Sequence, residues 1–190
     1  KNIESKNVLV TGAGGSIGSE LCRQIIKLKP NKLLLLELNE FVLYKVYDEL
    51  INNNKNLKVI PLLVNAQDQG KLEIIFETFK VDTVYHAAAY KHVPLVEVNP
   101  IEALKNNIFS TRSVCKAAMS VNLKLMMLIS SDKAVRPTNV MGLSKRISEL
   151  VVQSFASIND NYKSKKTGLA RDLMNRQTWF RPSPLATPTS

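Results

Sequence analysis

The sequence predicts a doubly wound α/β fold, a parallel sheet wrapped by helices. Three observations carry that prediction: five short apolar runs alternate with longer helical patterns before residue 160, a glycine-rich turn follows the first run, and an acidic residue closes the second. With 190 residues, 45% apolar and 22% charged, and only 7 Gly and 8 Pro, the chain can bury one domain's core. Disorder and collagen-like structure are excluded as the main organisation.

The elements follow in order. Asn7–Thr11 is a short apolar strand ending at a glycine. Ser16–Leu28 then sets Ile17, Leu21, Ile25 and Leu28 at helical spacing, which predicts a crossover helix. The second strand, Lys32–Glu37, contains Leu33–Leu36, and the fifth, Lys124–Ser130, contains Leu125–Ile129. Both are continuous apolar runs of the kind expected where a strand is covered on both faces. Between them lie strands Lys58–Leu63 and Thr83–His86, with a helix marked by Leu72, Ile75, Phe76 and Phe79 after the first of these. Asn99–Pro100 interrupts the pattern, and proline suits a first helical turn, so a long helix is expected at about Ile101–Ser120. A last helix, roughly Val140–Ala156, follows Thr138–Asn139.

The apolar runs fall far short of the roughly 20 residues of a membrane helix, so no span is expected in this chain. Cys22 and Cys115 stand alone in amphipathic stretches and match no metal spacing, so buried thiols in a reducing compartment and no metal site are expected. Net charge is +10. Residues 163–190 hold six bases (Lys163, Lys165, Lys166, Arg171, Arg176, Arg181) against Asp172, which is +5; residues 1–162 hold the remaining 20 bases against 15 acids, also +5. No aromatic stripe or basic helix accompanies this charge, so a solvated tail is expected and a nucleic-acid partner is not. The chain therefore divides at about residue 162 into a sheet-forming domain, 1–162, and a basic, Pro/Ser/Thr-rich tail, 163–190, read as linker, disordered end or appended sequence. It begins with Lys, and is expected to be a piece of something longer.

The first strand runs into Gly12-Ala13-Gly14-Gly15-Ser16-Ile17-Gly18 and then a helix. Glycines at 12, 15 and 18 sit where the chain must turn tightly and let a pyrophosphate touch its backbone, while the amides of the helix N-terminus hold the phosphates. Glu37, 19 residues after Gly18, is placed to accept hydrogen bonds from the adenosine ribose hydroxyls. This is the pattern of a Rossmann-like doubly wound sheet that binds a dinucleotide. A carboxylate there repels a 2′-phosphate, which favours NAD, with NADP the alternative. Glu37 could instead cap a helix, and Asp68 could receive the adenine amino group or cap the helix near Gln69.

Ligands in such sheets bind beyond the carboxyl ends of the strands. The fifth strand ends in Ser130-Ser131-Asp132-Lys133, bringing a hydroxyl, a carboxylate and an ammonium to that edge. Met141 and Lys145 follow, spaced i, i+4 on one face of the last helix.

Residues 7–160 resemble the catalytic half of the nucleotide-sugar 4,6-dehydratases of the extended short-chain dehydrogenase/reductase superfamily, specifically the CapD-like UDP-N-acetylglucosamine 4,6-dehydratases of polysaccharide biosynthesis. The resemblance rests on Val8–Glu20, His86–Pro94, Asn99–Ala103 with Asn107, and Ser130–Val135 followed by Asn139–Gly142 and Lys145. It implies NAD(P), a UDP-N-acetylhexosamine substrate, a homo-oligomer and a cytoplasmic location, with membrane helices ahead of this region in longer members. The implied reaction oxidises C4, removes water across C5 and C6, and returns hydride to C6. Ser131 would hydrogen-bond the C4 oxygen, Asp132 would protonate the departing 6-hydroxyl and Lys133 would take H5, with burial lowering the lysine's pKa. Lys145 would hold the nicotinamide ribose. Met141 stands where the wider superfamily has a Tyr; it either packs in the core of a protein that is no oxidoreductase or marks a branch in which Asp132 or Lys133 shares the proton work. Ala87, Ala88 and Ala89 would let the cofactor lie against backbone, Lys91 would face the substrate diphosphate, and Asn107 would steady the strand-five loop; His92 is given a structural role. Nothing in Thr167–Ser190 resembles the family's C-terminal substrate domain, which is expected to be missing. An epimerase or reductase of the same superfamily, and a non-catalytic binding module, remain as alternatives.

Overall fold

A computed structural model describes residues 3–53, 57–121 and 123–167, the side chains of Asn53 and of residues 159–167 excepted. The elements run β1 (Asn7–Thr11), α1 (Ser16–Lys27), β2 (Lys32–Glu37), α2 (Glu40–Asn53), β3 (Lys58–Leu63), α3 (Gln69–Thr78), β4 (Thr83–His86), α4 (Val93–Val98), α5 (Pro100–Leu104), a π turn (Lys105–Phe109), α6 (Ser110–Ser120), β5 (Leu125–Leu128), a 3-10 turn (Asp132–Ala134) and α7 (Val140–Thr167). All strand pairs are parallel, in the order β3-β2-β1-β4-β5. The chain reverses direction across the sheet at β1, so the crevice beyond β1 and β4 is the topological switch point where doubly wound sheets bind ligands.

β1 and the Leu33–Leu36 run of β2 are buried on both faces, as continuous apolar strands require. Val8, Val10, Leu33 and Leu35 face one layer with Cys22 and Ile25; Leu9, Leu34, Leu36 and Val84 face the other with Leu72, Phe76 and Val114. Each of these Leu and Phe side chains contributes on the order of 2 kcal/mol by leaving water. Among the described residues β3 pairs only with β2, which is why Pro61 is tolerated in it: an edge strand can spare the missing amide.

Several expectations need correction. In α1 the core face is Gly18, Cys22 and Ile25; Ile17 and Leu28 are exposed, because the close approach of the glycine turn rotates the small residue inward. β5 stops at Leu128 rather than Ser130 and is only half-buried, because nothing described pairs with its outer edge. The long helix after Asn99 begins at Pro100, is interrupted by the π turn, and is preceded by the separate α4. α2 is a helix beyond those expected, burying Leu43, Val46 and Leu50 at helical spacing, and α7 runs beyond Ala156 to Thr167, into the first residues of the expected tail. Residues 168–190 of that tail lie outside the described residues. Both cysteines are buried thiols, and burial pushes their pKa up to about 12, so they are unreactive packing groups.

Candidate functional site

The glycine turn is built as its spacing requires. Gly12 has φ +64°, and a Cβ there would lie 2.7 Å from the backbone of Ala88, so only glycine lets the turn close against the segment after β4. A Cβ on Gly18 would collide with the Gly12 carbonyl, which pins α1 to the turn. The first helical bond of α1 is Ser19 N–H to Gly15 C=O at 2.8 Å, and no side chain caps the helix. The amides of Ser16, Ile17 and Gly18 therefore point out of the helix start as donors beside its positive dipole end. Gly15, Ser16 and Ile17 are exposed, so the cradle is open.

Glu37 reaches this turn. Its Oε2 accepts from the Gly14 amide at 3.1 Å, and its Oε1 accepts from the amides of Leu38 at 2.9 Å and Asn39 at 3.2 Å. The carboxylate thus sits at the end of β2 against the glycines. Asp68 takes the capping alternative: it accepts from the Lys71 amide at 3.1 Å at the start of α3, and that amide holds its pKa below the usual carboxylate range. Lys91 lies over the glycine turn, its Nζ donating to the Ser16 hydroxyl at 3.0 Å, so its nearest anion site is the turn itself.

Beneath Ala87 and Ala88 runs a buried chain of hydrogen bonds that the sequence did not disclose. Thr111 donates its hydroxyl proton to the Asn107 carbonyl at 2.7 Å and so accepts from His86 Nε2 at 3.1 Å. His86 Nδ1 is then left as the acceptor for the Thr11 hydroxyl at 2.7 Å, and Thr11 Oγ1 accepts the Ala88 amide at 3.2 Å. These directions admit one tautomer, with the proton on Nε2. Burial, with a smaller push from the Lys145 charge, lowers the His86 pKa to about 3 and keeps the ring neutral. The available signal was a histidine ending an apolar strand just before three alanines.

Asn107 is explained by the π turn. Its carbonyl also accepts from Ser148 Oγ at 3.1 Å. Its side chain accepts the Tyr90 amide at 2.7 Å and donates to the Tyr90 carbonyl at 3.0 Å and to Ser144 Oγ at 2.8 Å. It therefore steadies the loop after β4 and the helix α7 rather than the strand-five loop, which corrects the role expected for it.

At the end of β5, Ser131 donates to Asp132 Oδ1 at 2.8 Å, and the same oxygen accepts the Lys133 amide at 2.9 Å. The Ser131 hydroxyl, then the Lys133 amide, hold the Asp132 pKa below the ordinary carboxylate value. Asp132 and Lys133 are both exposed, so the burial that a lysine base requires is not provided by the described residues. α7 starts against this turn: Asn139 caps it through the Gly142 amide at 2.8 Å, and Gly142 packs its Cα on the Lys133 carbonyl. Met141, 3% exposed, packs with Val96 and Ala103, so its place is apolar core and it presents no titratable group. Lys145, one turn on and 7% exposed, donates to the Ile129 carbonyl at 2.9 Å; burial lowers its pKa to about 8 while the Glu149 charge opposes that shift. Beside these groups, a cavity of about 390 Å³ opens among Tyr90, Lys91, His92, Leu95, Val96 and Ala103. His92 shares that lining and has no role in the buried chain.

The glycine turn, the alanine segment and the Ser131–Lys133 turn leave the same edge of the sheet on β1, β4 and β5, about 10 Å apart from first to last by strand spacing. Among the described residues no group of acids, histidines and cysteines is placed to hold a metal ion, and no helix is long and apolar enough to cross a membrane.

Strand order, turn and helix start together define a Rossmann-type fold of the short-chain dehydrogenase/reductase kind. Solved structures agree. The chain superposes on the structure of Pen from Bacillus thuringiensis with TM-score 0.77 and 30% identity, covering 84% of this chain and 48% of that one. It also superposes on DesIV, a dTDP-glucose 4,6-dehydratase from Streptomyces venezuelae, with TM-score 0.71 and 20% identity, covering 81% and 52%. Residues 8–171 match the family described as polysaccharide biosynthesis protein, and the chain belongs to that family. It is 44% identical over 160 residues to the capsular polysaccharide biosynthesis protein CapD of Staphylococcus aureus, covering 84% of this chain and 27% of that protein. It is 32% identical over 163 residues to an inverting UDP-N-acetylglucosamine 4,6-dehydratase of Campylobacter jejuni, covering 85% and 46%. The chain thus spans about a quarter of the length of the first of these relatives and just under half of the second.

Proposed function

We propose that this chain is the dinucleotide-binding and catalytic part of an NAD(P)-dependent nucleotide-sugar 4,6-dehydratase acting on a UDP-N-acetylhexosamine. The observation that carries the reading is the common edge on which an open phosphate cradle and the Ser131–Lys133 turn stand, separated only by the alanine segment after β4. Relatives named as dehydratases of this kind, and neighbours of the fold crystallised with NAD, support it.

The residues present fit a dinucleotide: the turn is exposed at Gly15, Ser16 and Ile17, three uncapped amides face outward, and Lys91 adds a cation above them. Glu37, released from Gly14, would accept from the adenosine ribose hydroxyls, which favours NAD. When bound, the dinucleotide supplies a hydride acceptor and later a hydride donor. Ser131 hydrogen-bonds the sugar C4 oxygen, and the proton of that hydroxyl passes through it to Asp132 as C4 is oxidised; Lys133 Nζ takes the proton from C5 and returns it there when hydride reaches C6, and Asp132 gives its proton to the hydroxyl leaving C6, so that water departs. Asp132 must carry that proton although its neighbours favour the anion, and Lys133 must be neutral; a sugar covering the turn supplies the desolvation both changes need. Lys145, buried and cationic below pH 8, orients the nicotinamide ribose. Lys91 serves the cofactor diphosphate ahead of the substrate's.

Asp132→Asn and Lys133→Ala should each stop formation of the 4-keto-6-deoxy sugar from UDP-N-acetylglucosamine, read by NMR of the product, while NAD still binds. Near wild-type turnover in either variant would refute the assignment. The exposure of Asp132 and Lys133 favours a second reading, a module that binds NAD without turnover, which predicts tight binding and no hydride exchange.

A further inference from the structure

The buried carboxylate of Glu149 belongs to none of the roles above. It lies in α7, one turn after Lys145, and is 4% exposed. Oε1 accepts from the Ser130 hydroxyl at 2.5 Å and Oε2 from Arg146 at 2.9 Å. One turn earlier, Lys145 donates to the carbonyl of Ile129 at 2.9 Å. Two successive residues at the end of β5 are therefore gripped by two side chains four apart on one helix, and the turn Ser131–Lys133 begins at the next residue.

We propose that Glu149 is a positioning residue: with Lys145 it clamps Ile129 and Ser130 to α7, fixing where the Ser131–Lys133 turn leaves the sheet, and it supports the charge of Lys145. The second half rests on the reading of this site as a dinucleotide site; the first does not. Glu149 holds the hydroxyl of Ser130 in the loop after β5, while Asp132, the other carboxylate near that strand end, is engaged by the Ser131 hydroxyl and the Lys133 amide. The groups that bear on Lys145 are Glu149, which raises its pKa, and the neutral His86 of β4, whose own pKa the lysine lowers. Arg146, paired to Glu149, is the remaining charge at the clamp.

Two variants of the 190-residue chain separate the parts. In Glu149→Gln the amide oxygen still accepts from Ser130 while the charge is gone; in Glu149→Leu both are lost. Hydrogen exchange of residues 130–134, read by mass spectrometry of peptides, should speed up about tenfold or more in Glu149→Leu and stay close to wild type in Glu149→Gln, since the acceptor for the Ser130 hydroxyl is lost only in the former. Calorimetric titration with NAD from pH 6 to 10 should show affinity falling as Lys145 loses its proton, with the midpoint about one pH unit lower in Glu149→Gln. A rescue of exchange without a shift in that midpoint would overturn the electrostatic half of the role. Unchanged exchange at 130–134 in Glu149→Leu would overturn the clamp. Wild-type chain that takes up no NAD at any pH would refute the dinucleotide reading instead, and the exchange result would still decide the clamp.

Discussion

Replacing Thr11 by Val tests whether the buried chain through His86 holds the site together. Valine matches threonine in shape, so the core around β1 is kept, but two partners of Thr11 Oγ1 lose their bond: His86 Nδ1, an acceptor sealed from water, and the Ala88 amide, which is part-buried. An unsatisfied buried group costs about 1–3 kcal/mol. Ala88 can recruit water and belongs at the low end, and His86 at the high end, for a total of about 2–4 kcal/mol, a large share of the 5–15 kcal/mol typical of a domain. Urea unfolding of wild type and variant at pH 7.5 should show that loss with an unchanged slope, and thermal melting should shift down by roughly 6–12 °C. His86→Phe in both backgrounds completes a double-mutant cycle, and the Thr11→Val penalty should shrink once the imidazole acceptor is gone. A loss below about 0.5 kcal/mol, or a Thr11→Val penalty identical with and without His86, would show that the hydrogen bonds are not what joins β1 to β4 at this edge.

Three further outcomes are expected. Gly18→Ala should yield no stably folded chain, because its Cβ would strike the Gly12 carbonyl, whereas Gly70→Ala, whose Cβ meets only Asp68 Oδ1 at 3.8 Å, should be neutral or stabilise by up to about 1 kcal/mol; circular dichroism melts compare the two. Lys91→Ala should leave the melting temperature unchanged, since the side chain is exposed, yet weaken NAD binding about five- to tenfold by calorimetry. The third concerns acid. The unfolded His86 titrates near 6.5 and the folded one at about 3, so the unfolded state binds the extra proton between those values and stability falls as pH drops through that window, by about 1.4 kcal/mol per unit. His86→Phe should flatten that slope in urea titrations at pH 4–6.5.

Much of this architecture was legible because it depends on local pattern. Four of the five strand ranges follow from apolar runs alone, and the Gly12–Gly18 turn with Glu37 is recognisable because the steric demands of a tight turn and a carboxylate at the end of β2 are properties of a short stretch of chain. That Ser131, Asp132 and Lys133 follow the fifth strand was likewise legible. The half-burial of β5, the π turn and the pairing of Lys91 with Ser16 were not legible, since each is set by neighbours far away in sequence. The same holds for function-bearing detail: that Asp68 caps a helix, that Met141 packs against Val96 and Ala103, and that His86 stays neutral between Thr11 and Thr111 are decided by which surfaces meet. Sequence by itself determined the sheet, the order of its chemistry-bearing turns and the family. Tertiary structure decided charge states and orientations, because burial and hydrogen-bond partners exist only once separate segments are packed together.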